Sequence, residues 1–75
     1  MENLKNMVNS IGLKVEFDGN KLKGYSLNII QYPIFRLWIN KRGNLTVKTR
    51  GIQKSFKNWN DLITLRKILE GFEII

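Results

Sequence analysis

Leu4, Met7, Val8 and Ile11 recur at three- and four-residue intervals, which puts them on one face of a helix. Gly12 stands where a left-handed C-terminal cap belongs. This predicts a short amphipathic helix over 2–11, within an N-terminal helical segment 1–12. Leu13, Val15 and Phe17 then alternate with Lys14, Glu16 and Asp18, the period of a half-buried strand, and Asp18-Gly19-Asn20 suits a tight hairpin turn. A second strand is expected over about 22–31. It stops before Pro33, which has no backbone donor and biases Tyr32 towards an extended conformation. A third strand, 34–40, turns through Lys41-Arg42-Gly43-Asn44 into a fourth, 45–50.

The last segment, 58–72, has helical spacing. Asn58 can cap it with Asp61 at the third helical position, and Asn60 is the alternative cap. At about 100° per residue, the apolar positions from Trp59 to Phe72 cover an arc of about 220°, more than one side of a core uses. The surplus asks for a second partner. Either the N-terminal helix or the Glu73-Ile74-Ile75 tail covers it, or a second copy does, with Leu65, Ile68, Leu69 and Phe72 as the dimer interface. The expected fold class is α+β in one domain: a helix, a four-stranded antiparallel sheet over 13–51, and an amphipathic C-terminal helix.

Composition changes the picture by exclusion. A chain of 75 residues without a single cysteine has no disulfide or thiolate metal site, so association is the remaining common route to more buried surface. It also has no histidine, which removes the commonest general base and a common metal ligand. No paired carboxylates, phosphate-binding glycine loop or nucleophile elbow is visible, so no catalytic residue, cofactor or metal is assigned and the chain is read as a non-enzyme. Apolar runs are too short for a membrane span, and the N-terminus lacks the pattern of a signal peptide, so the expected location is the cytoplasm.

Charge is the strongest functional signal. The net charge is +7, and between Gly19 and Asn60 the chain carries nine Lys or Arg and no acid. A block of one sign projects a potential that captures polyanions. Period two puts Phe35, Leu37 and Ile39 with Leu45 and Val47 on one face, leaving Arg36, Trp38 and Asn40 beside Thr46, Lys48 and Arg50 on the other. An aromatic ring among cations on an open strand face is what a single-stranded nucleic acid requires, since bases stack on the ring while cations hold phosphates. The candidate nucleic-acid-binding residues are Arg36, Trp38, Lys41, Arg42, Lys48, Arg50 and Lys54. The competing reading buries Trp38 in a second core layer.

The frame Arg36-x-Trp38, Gly43, Lys48-x-Arg50-Gly51-Ile52, Trp59-x-x-Leu62 resembles the core of the transcriptional coactivator PC-four family and its bacterial relatives. Lys23-Gly24-Tyr25 and Leu27-Asn28 to Tyr32 resemble segments of the bacterial members, so the likeness covers 23–72. The resemblance implies a curved four-stranded sheet followed by a helix, dimerisation through the helices, and non-specific binding of single-stranded DNA. It implies Trp38 as the stacking aromatic, Lys48 and Arg50 as the basic strand, and Gly51 as the bend from strand to helix. Trp59 and Leu62 would be helix core. The leading expectation is a homodimeric module for single-stranded DNA, with RNA as the lesser possibility. The alternative is a small factor from a phage or other mobile element that inhibits or recruits a host protein, since Trp and Arg are also enriched at interface hot spots.

Overall fold

In a computed structural model of the chain, residues 1–27 and 34–75 are described. Two helices, α1 (Glu2–Ile11) and α2 (Leu62–Gly71), flank five strands: β1 (Val15–Asp18), β2 (Lys21–Tyr25), β3 (Ile34–Ile39), β4 (Leu45–Thr49) and β5 (Ile52–Phe56). The strands form one antiparallel sheet in sequence order, β1-β2-β3-β4-β5. The α+β class and the terminal helices are as expected, but the sheet has five strands rather than four.

The fifth strand follows from the turn before it. Thr49 pairs with Ile52, so Arg50 and Gly51 are the two central residues of a hairpin. Both have positive φ, 55° and 77°, as a type I′ turn requires. Gly51 is therefore not a bend from strand to helix: it reverses the chain into β5. The Gln53-Lys54-Ser55 run hides this strand from hydrophobic periodicity, because an edge strand with polar, lysine-bearing positions is one way proteins blunt an open sheet edge. β2 ends at Tyr25, short of the expected run to Gln31, with Ser26 and Leu27 already outside the strand; the rest of that run, its stop at Tyr32-Pro33 and the family-like segment from Asn28 on lie outside the described residues.

One core joins the described elements. Leu22, Phe35, Leu37, Leu45 and Val47 on one sheet face meet Leu4 and Val8 of α1 and Leu65, Ile68 and Leu69 of α2, with Phe72 and Ile74 behind them. Full burial of each such side chain is worth about 1.5–3 kcal/mol. Both helices therefore lie on the same side of the sheet. At Gly24 of β2 the neighbouring strands come close: a Cβ there would meet Phe35 Cζ and Val15 Cγ1 at 2.7 Å and the Lys14 carbonyl at 2.9 Å, so only glycine fits.

The two helices end in the same way. After α1, the amides of Gly12 and Leu13 donate to the carbonyls of Asn9 and Val8; after α2, those of Glu73 and Ile74 donate to Glu70 and Leu69. These are paired Schellman bonds with a left-handed residue, Gly12 or Glu73, at the pivot. In each case the following residue, Leu13 or Ile74, turns into the core and is buried. The tail is then fixed to β2's exit: the Leu27 amide and the Ser26 hydroxyl both donate to the Ile74 carbonyl.

This arrangement turns the residues expected at a dimer interface towards the core of the single chain. Leu65, Ile68, Leu69 and Phe72 are buried within the single chain, because the sheet, α1 and the tail already cover them. The apolar residues α2 leaves outside are Leu62 and Ile63. The helix also starts later than expected. Asp61 is its N-cap, accepting the Thr64 amide at 2.8 Å, and that amide, followed by the Thr64 hydroxyl, holds the Asp61 carboxyl below its ordinary pKa. Trp59 thus precedes the helix, and its indole N–H donates to the Gly43 carbonyl at 3.1 Å, pinning the β3–β4 turn. Among the described residues no helix is long and apolar enough to cross a membrane.

Candidate nucleic-acid interface

With both helices on one side, the opposite face of the sheet is left to residues of the other parity. Register places them in rows. Glu16, Lys23, Arg36, Lys48 and Gln53 face one another across the five strands, and the neighbouring row runs Asp18, Lys21, then Trp38, Thr46 and Ser55. Adjacent strands lie about 4.8 Å apart, so the Lys23–Arg36–Lys48 cations occupy a band about 10 Å across. Tyr25 and Ile34 pair at the end of this face and are both exposed.

Trp38 belongs to this outer face and not to the core cluster. It is half-buried. The Lys21 ammonium sits 4.4 Å from the centre of its ring, a cation–π contact that caps the indole. Further along this row the Thr46 and Ser55 hydroxyls hydrogen-bond at 2.9 Å, satisfying a threonine that is almost fully buried. Arg36 lies 3.5 Å from the Asp18 carboxylate, a pair with both side chains substantially exposed. Such a pair is worth at most about 1 kcal/mol, so it orients Arg36 without removing it from use. Glu16 and Asp18 make the β1 margin acidic, and the positive field is confined to β2, β3 and β4.

The candidate residues divide into three groups. Arg36, Trp38 and Lys48 come together on the open face as expected. Lys41 and Arg42 sit at the tip of the β3–β4 turn, where the Asn40 side chain accepts the Arg42 and Asn44 amides and shapes the loop. Arg50 and Lys54 go elsewhere. The hairpin takes Arg50 out of the strand, its guanidinium reaching the Phe72 carbonyl at 3.5 Å, and Lys54, opposite Val47, lies on the helix side.

Two cations of the face were missed in the sequence. Lys21 and Lys23 join it because β2 pairs with β3 so that Lys23 meets Arg36. Their alternation with Leu22 and Gly24 was the available signal, and Tyr25 continues it. Among the described residues no cluster of acids could hold a metal ion. Compared with known proteins, the chain matches no family model, no curated protein and no solved structure.

Proposed function

We propose that this protein binds single-stranded nucleic acid, DNA ahead of RNA, without sequence selectivity and without a catalytic step. The observation that carries the reading is the in-register row Lys23–Arg36–Lys48 beside Trp38 on the sheet face that neither helix covers. Phosphates are held along the row while bases stack on Trp38 and Tyr25. Lys21 leaves the Trp38 ring as a base arrives and takes a phosphate instead. A cation–π contact at an exposed site is worth about 0.5–1 kcal/mol and a stacked base about 1–3, so the exchange is favourable. The acidic β1 margin repels the strand and directs it across β2 to β4.

Affinity for an unstructured oligonucleotide is expected to fall with salt. Neutralising four phosphates with Lys21, Lys23, Arg36 and Lys48 gives a slope of log K against log salt of about −3. Charge reversal at Lys23 and Lys48 together should weaken all sequences alike. A flat salt dependence would reject the electrostatic mechanism.

Trp38→Ala should cost about 1–3 kcal/mol of binding and little stability, because the ring lies outside the core. Fluorescence titration in a Trp59→Phe background reads the binding, and thermal melting reads the stability. A variant that melts much earlier but binds normally would end the stacking mechanism.

A second reading has its own observation. Tyr25, Leu27 and Ile34 are exposed large hydrophobics where β2 ends and β3 begins, 56%, 60% and 42% accessible. An apolar cluster beside a basic face also suits a protein partner. In that reading affinity for a partner protein depends on Tyr25 and Ile34, and oligonucleotides do not compete.

A further inference from the structure

β5 and α2 do not close on each other. Between them, on the helix side of the sheet, lies a cavity of about 400 Å³ whose walls are Ile52, Phe56, Ile68 and Phe72. The two phenyl rings meet edge to face, 6.0 Å between centres, and hold one side of the cavity in shape. Three cations line the same cavity: Arg50 from the hairpin, Lys54 from β5 and Lys67 from α2. Lys54 and Lys67 have no acidic partner within 4 Å among the described residues.

We propose that this groove binds an organic anion with an apolar body, a medium-chain fatty carboxylate being the simplest member of the class. The volume falls within the range of small-molecule sites, which combine apolar walls with a few polar groups that fix orientation. Here the charged groups are all of one sign, and Thr64 is the uncharged polar residue beside them. A nucleic-acid backbone would leave the Phe56 and Phe72 walls unfilled. A second copy of this chain carries +7 itself, so its approach to Lys54 and Lys67 is opposed by like charge. An apolar anion answers both requirements: its chain lies on the aromatic and aliphatic wall and its carboxylate is held between the two lysines.

The site lies across the sheet from the nucleic-acid face and is independent of it. It also accounts for Lys54, a cation that the open face does not use.

The test is calorimetric titration of the full chain with laurate and with dodecyltrimethylammonium, both below their micelle concentrations. Laurate should saturate at one per chain, and the cationic analogue should bind at least tenfold more weakly. The double variant Lys54→Glu, Lys67→Glu should lose at least tenfold in laurate affinity. A second variant, Gly71→Leu, grows from a lining position where a Cβ meets no atom within 4 Å. It should abolish laurate binding while leaving the circular dichroism spectrum and oligonucleotide binding unchanged. Equal binding of both amphiphiles, titration without saturation, or unaltered laurate affinity in either variant would overturn the proposal. So would binding of an acidic extended peptide along β5 with none of laurate, which would make the groove part of a strand-docking edge.

Discussion

Leu65→Glu is expected to leave no folded protein in water. The side chain is fully buried between α2 and the sheet, among the apolar side chains of the core. Loss of the leucine packing alone costs about 2–5 kcal/mol. Placing a carboxylate there adds several kcal/mol for an unpaired buried charge. A 75-residue domain has a total stability of roughly 4–11 kcal/mol at the usual value per residue, so the two costs together consume it. Ile63→Glu on the same helix should melt close to the parent, because Ile63 is 71% exposed. Circular dichroism of the two variants side by side checks this. A folded, soluble Leu65→Glu monomer would show that the residue faces a partner rather than the core. If the protein does self-associate, the α2 residues to probe are Leu62 and Ile63.

Gly24→Ala should give the next largest loss. The new methyl would lie 2.7 Å from Phe35 Cζ and 2.9 Å from the Lys14 carbonyl oxygen. The phenyl ring sits in the packed core and the carbonyl belongs to backbone entering β1, so neither yields cheaply. Overpacking of this kind costs about 1–3 kcal/mol, which for a domain of this size lowers Tm by roughly 5–20 °C. Gly71→Ala is the matched control. It meets nothing, and removing a helical glycine contributes up to about 1 kcal/mol, so its Tm should rise. Calorimetric melting that ranks the two in the opposite order would contradict the placement of β1 against β2.

How much of the site was legible depends on the length scale of each signal. Trp38 with Arg36, and Lys48 with Thr46, could be put on a common face from period two alone, and the structure pairs Arg36 with Lys48 and Trp38 with Thr46. Lys41 and Arg42 were legible as turn residues because Gly43 and Asn40 carry local turn chemistry. Lys21 and Lys23 were visible as an alternating pair, but that they stand against Trp38 and Arg36 is a matter of register between strands separated by the 28–33 segment. Arg50 and Lys54 fall away from the open face for one reason. The face of a residue beyond a reversal depends on whether the chain turns or continues, and Arg50-Gly51 turns.

The sequence by itself determined α1, the β1–β2 hairpin, the β3–β4 pair and a helix near the C-terminus, since each rests on periodicity and caps within a few residues. It also determined that the middle of the chain is basic and that histidine and cysteine chemistry is absent. Only the tertiary structure decided the rest. β5 exists because the Val47 and Thr49 side of β4 offers an open edge to pair with, although its own polar residues give almost no apolar alternation. The wide apolar arc of α2 belongs to the core because α1 and Ile74 close over it. The cations separate into an open face and a groove because strand pairing sets which side of the sheet each one faces.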